Sequence, residues 1–498
     1  IKTITLLCVI VCSLNNLKVL AQTQKPNLKF GNPTTEEMEM TSCSIEPNAP
    51  AVVLCKLDDV NYGVSDGSFC IIYDIKKRIK ILKSEGKNYA NVSFNYVDID
   101  GNSMNSEKIS GLKATAFNMV DGKIVKTKMD DKLVFRERLD KEDMLMKFTV
   151  PQVKVGTVIE YQYKISSPLF HILKSWYAQT SIPTMYANYN LVIPEYFRFS
   201  IENTGMHKMD QERGLTGCTF NYEGETLNCN GQEYKFTAQD LPSIKDDDFV
   251  WDAEDYSNKV TAELSCLNIP GVTYQNYSRE WKDIDNSLLD DDDFGHRMNK
   301  SNPFKNEMAA EKIYDLKDTT EKIVAIYKLL KTKLKWNGDY GFWGRSSRNI
   351  LKDGSGNNAD INFVLINMLH DAGIKASPVV MSTRDHGRLP LSYPSMKFLN
   401  TFVVGAYTKD STMVFIDSSV DDGFLNVLPA NLLTDRARII EKNNCKWVNL
   451  QNIAQAKRDI RISAQLNPQG VLTGMVKSTS INNLAARVRD DFKHAKDS

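Results

Sequence analysis

Between Gly354 and Asp360 the chain reads Gly-Ser-Gly-Asn-Asn-Ala-Asp, just ahead of a helical pattern from about Ala359 to Ala372 that stops at Gly373. Glycines before a helix free the backbone, so the helix start can face a cleft with its unpaired N–H groups and the positive end of its dipole. A cysteine held there has its thiolate stabilised. Many cysteine hydrolases and acyl transferases activate their nucleophile in this way, adding a histidine from a neighbouring strand and an acid to orient it. This chain has no cysteine between Cys266 and Cys445. Cys266 falls in an expected strand before the segment, and Cys445, in Lys442-Asn-Asn-Cys-Lys446, falls after it. Each stands as a relocated-nucleophile alternative, and neither is expected at a helix start.

Other residues near this segment have candidate roles. Trp336 and Trp343 flank it, and aromatic side chains at a cleft can stack on peptide or sugar, although core packing is their commoner use. His386 lies in the loop Thr383-Arg-Asp-His-Gly-Arg388, where a solvent-exposed histidine is the ordinary expectation, and His370 is read as a surface residue of the helix. Acids crowd Asp246–Asp255 and Asp290–Asp293. Carboxylates are calcium ligands, but EF-hand spacing and its glycine are missing, so solvated surface is expected and no metal or cofactor. No CxxC occurs, which removes the usual zinc spacing. Cys218 and Cys229 flank what reads as two short strands with a turn at Glu223-Gly224, and cross-strand cysteines can meet disulfide geometry. Two buried thiols are the alternative. Cys43 and Cys55 form a weaker candidate pair.

Two kinds of element must position these residues. Residues of about 50–245 read as strands. In Val158–Ile165, Ile159, Tyr161, Tyr163 and Ile165 share one face, and Glu160, Gln162 and Lys164 the other, the period-2 pattern of a half-buried strand. Phe197, Phe199 and Ile201 repeat it. Asp-Gly and Asn-Gly steps at 100–101, 121–122 and 230–231 favour hairpin turns. An antiparallel β-sandwich over 28–245 is expected, with 73–84 as a basic helix or strand inside it. Residues 246–307 read as an acidic linker with helices. From about 308 the period becomes helical: Asp318-Thr-Thr-Glu321 resembles a capping box, and Ile323, Ile326, Tyr327, Leu330 and Leu334 line one face. Strands at about 376–383, 400–407 and 412–417 then make an α+β core over 308–445. Residues 455–498 return to strand-like sequence with a turn at Asn467–Gly470. The chain ends inside this element, so a truncated C-terminal β domain is expected.

At this point the sequence resembles a family. Lys335-Trp-Asn337, Gly354–Asp360, Met368-Leu-His-Asp-Ala-Gly-Ile374, Pro378–Arg384, Phe398-Leu-Asn400 and Phe415-Ile-Asp-Ser-Ser419 together resemble the transglutaminase-like core, which is similar to papain-type cysteine proteases. Upstream, Pro151–Tyr161, Ser167-Pro168 and Ile182-Pro183 resemble the β-rich domain of unknown function that precedes such cores in exported bacterial proteins, and Leu466–Arg489 is similar to the start of their third domain. The family pattern at the helix start is Gly-x-Cys-x-Asp. Aligning Gly356 and Asp360 puts Asn358 at the cysteine. Aligning Asn400 puts Thr401 at the histidine, and Asp417 matches the orienting aspartate. The resemblance therefore implies a degenerate Asn-Thr-Asp triad. An amide forms no thiolate, and threonine has no titrating group near neutral pH to act as a base. Asn358 is instead expected to cap the helix, a role asparagine fills well. A catalytically inactive binding or scaffolding protein is the first expectation. A cysteine peptidase or protein-glutamine acyl transferase with a relocated nucleophile, and a peptide- or glycan-recognition protein, are the alternatives.

The whole chain sets the remaining bounds. It has 498 residues with 62 Lys+Arg against 62 Asp+Glu. That length suggests several domains, and zero net charge without a basic stripe argues against nucleic-acid binding. Lys2, the apolar run Ile4–Leu14 and the small-residue end Val19-Leu-Ala21 read as a signal peptide over 1–21, too short for a membrane span. Export to the periplasm or outer-membrane surface of a Gram-negative bacterium is expected. Its removal takes Lys2 and Lys18 and no acid, leaving 60 basic against 62 acidic side chains, net −2. Seven cysteines then remain, too few for a disulfide scaffold and odd in number. The expected partner is a peptide, protein or glycan, with no nucleic acid and no membrane span.

Overall fold

A computed structural model describes residues 26–494 except 100–101, 103, 223–224, 248–249, 251, 270–272, 277–279, 391–392 and 422–424. The expected signal peptide and the Glu223-Gly224 turn lie outside the described residues, as does the Asp100-Gly101 step. The chain forms a β-rich α+β protein of two compact units, residues 1–245 with 256–275, and residues 246–255 with 276–498. No helix among the described residues is long and apolar enough to cross a membrane.

The first unit is built on an eight-stranded sheet. Its order is Asp210–Tyr222, Glu225–Leu241, Thr184–Pro194, Ala51–Ser65, Ser68–Ile81, Val158–Ser167, Lys108–Val120 and Lys123–Lys128. The sheet is not wholly antiparallel as expected, because Ala51–Ser65 and Thr184–Pro194 run parallel. Residues 73–84 fall largely in the Ser68–Ile81 strand, so the strand reading applies there. Ile159, Tyr161, Tyr163 and Ile165 enter one core with Phe197, Val260 and Leu264 of a smaller sheet and Phe148 of a three-stranded one. The opposite side of the Val158–Ser167 strand passes from buried Glu160 to exposed Lys164. Glu160 pairs there with the fully buried Arg78, whose guanidinium also donates to the carbonyls of Asn27 and Lys29 at 2.7 and 2.6 Å.

Residues 246–307 are not a linker. Lys259–Ile269 pairs antiparallel with Phe197–Thr204 in the first unit. The helix α1 (Trp281–Asp290) sinks Ile284 and Leu288 into the core of the second, where the buried Asp285 meets Arg438 at 2.6 Å. Burial of apolar side chains at helical spacing outweighs the acidic composition that suggested solvated surface. Among the described residues no cluster of three or more His, Cys, Asp or Glu is placed to hold a metal ion. Asp292 and Asp293 instead face His296 and Arg297, each at 2.7 Å.

The second unit pairs two long helices with a five-stranded antiparallel sheet. Helix α2 (Thr319–Lys333) starts at Asp318, whose carboxylate accepts from the Glu321 N–H, and it buries Ile323, Ile326, Tyr327 and Leu330 as the sequence pattern predicts. Helix α3 (Asn358–Asp371) is buried from its first residue to Leu369, and the chain turns away at Gly373, whose φ of 75° suits glycine. The strands β1 (Ala376–Met381), β2 (Thr401–Tyr407), β3 (Met413–Ile416), β4 (Ala437–Ile439) and β5 (Lys446–Val448) lie in the order β3-β2-β1-β4-β5. Beyond them Lys457–Leu466 and Leu472–Ile481 form a hairpin followed by a helix, Asn483–His494.

Candidate functional site

The loop before α3 is held in place by short-range geometry. Ser355-Gly356 pairs in parallel with Lys335-Trp336. A Cβ on Gly356 would lie 2.7 Å from an Asp360 carboxylate oxygen, so glycine is required where the loop folds back onto the helix start. Asp360 is fully buried, accepts from the Arg345 N–H and Nε at 2.7 and 2.8 Å, and completes a capping box with Asn357. The cap is thus Asn357 and not Asn358. The expectation that Asn358 serves as the cap fails by one position, because the Asn357 side chain is the one that turns back to the Asp360 N–H.

That shift frees Asn358 to point inward. Asn358 and Thr401 are both at 0 % exposure and Asp417 at 1 %. The Asn358 Nδ2 donates to Thr401 Oγ1 at 2.8 Å, Asp417 Oδ2 at 3.2 Å and the Phe402 carbonyl at 3.3 Å, and its Oδ1 accepts from the Gly341 N–H at 2.9 Å. Three residues from α3, the start of β2 and the end of β3 therefore meet in one hydrogen-bonded cluster. Asn362, one turn along α3, donates to Asp417 Oδ2 at 2.8 Å and accepts from the Ser418 N–H at 3.0 Å. Asp417 also accepts the Ser419 N–H at 2.9 Å and the Ser419 hydroxyl. Asn362 and Ser419 are members that the sequence reading missed. The signal for Asn362 was present: Asn358 and Asn362 sit four apart, on one helix face.

The cluster is covered from outside by the 337–341 loop. The Asn358 N–H donates to the Asp339 carbonyl at 3.2 Å, and the Tyr340 hydroxyl lies 3.2 Å from Ser419 Oγ. Burial pushes the Tyr340 phenol above its ordinary range, so it is a neutral hydrogen-bonding group. Trp336 supports the loop, its Nε1 donating to the Asp339 carbonyl at 2.7 Å and its ring 5.2 Å from that of Tyr340. Trp343 is half exposed and packs edge-on against Phe342 and Phe294. His386 sits exposed on the turn Arg384–His386, 3.5 Å from the Lys397 carbonyl. None of Trp336, Trp343 and His386 hydrogen-bonds to Asn358, Thr401 or Asp417. His370, read as a surface residue, has both ring nitrogens within hydrogen-bond distance of carbonyls, Met298 at 3.1 Å and Ala376 at 2.8 Å.

Neither Cys266 nor Cys445 hydrogen-bonds to Asn358, Thr401 or Asp417. Cys266 is a strand residue of the first unit, opposite Arg198. Cys445 lies in the turn before β5, its Sγ 3.3 Å from the Glu441 carbonyl, and burial pushes its thiol up, away from thiolate. Cys218 and Cys229 are direct cross-strand partners and both are free thiols.

Residues 72–245 match the model of a domain of unknown function, DUF3857. No curated protein matches the chain. Among solved structures, the chain is similar to the crystal structure of a "putative protease" from Parabacteroides distasonis ATCC 8503, with 14% identity over 80% of this chain and 72% of that one and a TM-score of 0.49.

Proposed function

We propose that the second unit is a transglutaminase-like core without turnover, and that the protein is exported and acts as a binding or scaffolding module for a peptide, protein or glycan. The observation that carries this reading is the Asn358 side chain, fully buried and bonded to Thr401 and Asp417 at the positions where the family holds its nucleophile, base and acid. An amide does not ionise to a nucleophile, and a threonine hydroxyl takes no proton near neutral pH. The elements that orient such a site are retained while the two reacting groups are replaced by a hydrogen bond. The raised Cys445 thiol and the absence of any cysteine on α3 argue against a relocated nucleophile. The apolar segment before Ala21 supports export.

The test is an assay of the purified chain for peptide hydrolysis and for amine incorporation into glutamine peptides. No turnover above the uncatalysed rate is expected. Turnover that disappears in Asn358→Ala would overturn the reading. A thermal-shift screen with peptides and oligosaccharides addresses the binding role, because a ligand that binds only the native state raises its melting temperature.

A further inference from the structure

We propose that a lysine-lined cleft in the second unit, away from the Asn358 cluster, binds a multiply charged oxyanion of the phosphate- or sulfate-ester class. The cleft has a volume of about 630 Å³ and is lined by Lys317, Lys322, Lys375, Lys409 and Lys446 with no aspartate or glutamate. Four separate segments bring these lysines together: the approach to α2 with its first turn, the turn between α3 and β1, the β2–β3 hairpin, and the first residue of β5. In a chain with equal numbers of acidic and basic side chains, five like charges around one concavity are a local exception. Glu441 offsets the charge of Lys375; the fields of the other four add within the cleft and raise the local concentration of anions.

The acids next to the cleft are already engaged. Glu441 holds Lys375 and accepts from the Tyr407 hydroxyl at 3.1 Å. Asp410, in the hairpin, is turned onto the hydroxyls of Thr408 and Thr412. Asp318 caps α2. Lys317, Lys409 and Lys446 are exposed and make no ion pair among the described residues. Lysine binds phosphate as a point charge, through three rotatable ammonium donors. Thr319, Ser411 and Asn444 add neutral hydrogen-bonding groups. The volume exceeds what one simple ion fills and falls in the range of small-ligand sites.

This cleft and the Asn358 cluster lie at opposite ends of the same elements. Asn358 and Thr401 open α3 and β2, whereas Lys375 follows α3 and Lys409 follows β2. The 14 residues of α3 span about 20 Å. The proposal holds whether or not the Asn358 site turns over.

The test is calorimetric titration of the full chain with inorganic triphosphate and, separately, with a sulfated heparin hexasaccharide. The Lys317→Gln/Lys409→Gln/Lys446→Gln variant is compared with a charge-matched control, Lys123→Gln/Lys128→Gln/Lys132→Gln, whose lysines are exposed in the first unit. Binding of either probe, weakened at least tenfold by the first set and unchanged by the control, supports the proposal; the tighter probe separates a free from a glycan-borne anion. No binding of either probe, or equal weakening by both sets, overturns it. A second reading needs no variant: triphosphate is expected to protect Lys317, Lys409 and Lys446 of the wild-type chain from acetylation by an N-hydroxysuccinimide ester. Labelling unchanged by triphosphate would count against the site.

Discussion

The Asn358 amide donates to the Asp417 carboxylate across 3.2 Å, with both residues buried. A buried carboxylate without a cation beside it persists only when donors surround it. Here Asn358, Asn362 and Ser419 supply them. The amide at the helix start is therefore part of what holds α3 to the sheet, and its replacement has structural consequences.

Asn358→Ala removes one donor to Asp417 and leaves the Gly341 N–H without its acceptor. Chemical denaturation is expected to show a loss of about 2–3 kcal/mol, the usual result of stranding buried polar groups, larger where one is charged. Asn358→Asp sets two carboxylates side by side, one of which must take up a proton. Its deficit is expected to shrink as pH falls from about 7 to 4. An Asn358→Ala variant within about 0.5 kcal/mol of wild type would show that the cluster carries no structural weight.

Asn358→Cys restores the sulfur while leaving the site closed. Because residue 358 is fully buried beneath the 337–341 loop, iodoacetamide is expected to alkylate the new thiol at least about tenfold more slowly in the folded chain than in urea. Fast labelling of the native variant, followed by mass spectrometry, would mean that the loop opens readily and that the cluster is accessible.

Cys218 and Cys229 face each other across an antiparallel pair, a spacing compatible with a disulfide. Room for the Cys218 sulfur comes from Gly231, where a Cβ would lie 2.5 Å from it. Mild oxidation is expected to join the two within one chain, leaving it two hydrogens lighter by intact mass and cleaved back by thiol. Peptide mapping that finds both still alkylated after oxidation, with no reductant added, would remove the pairing.

Lys80 is fully buried, its ammonium donating to the Gly156 carbonyl at 2.7 Å and to that of Met38, and burial lowers its pKa from 10.5 to about 8. Between those two values the unfolded chain keeps a proton that the folded chain has released, so this group makes stability rise with pH across that window. Lys80→Met lacks that rise. The stability difference, wild type minus variant, is expected to grow from pH 8 to 10 in urea titrations, and a difference that stays flat would assign Lys80 an ordinary pKa.

Much of the second unit was legible in the residues. The Ile323–Leu334 face, the capping acid Asp318 and the stop at Gly373 depend on local periodicity and local hydrogen bonds, which a sequence displays directly. The Val158–Ile165 alternation marked the core face of its strand for the same reason. Less was legible where the deciding contact is distant. Glu160 looked solvent-facing because its partner Arg78 is 82 residues away, and the strand expected at Cys266 was left within a linker because its partner strand, Phe197–Thr204, is remote in sequence. The choice of Asn357 over Asn358 as cap turned on a single position, and only the packed helix start decides which amide turns outward.

The sequence by itself determined which groups exist near the helix start: asparagine, threonine and aspartate, with no thiol or imidazole at those positions. That alone excludes cysteine–histidine chemistry there, since reactivity follows from functional groups and not from their arrangement. Tertiary structure alone decided that Asn358, Thr401 and Asp417 meet, because residues 43 and 59 positions apart are joined only when β2 and β3 pack against α3. It also decided that the cluster is buried, and that five lysines scattered over 130 residues line one cleft. Burial and convergence are properties of the packed chain, set by which surfaces exclude water, and no local pattern encodes them.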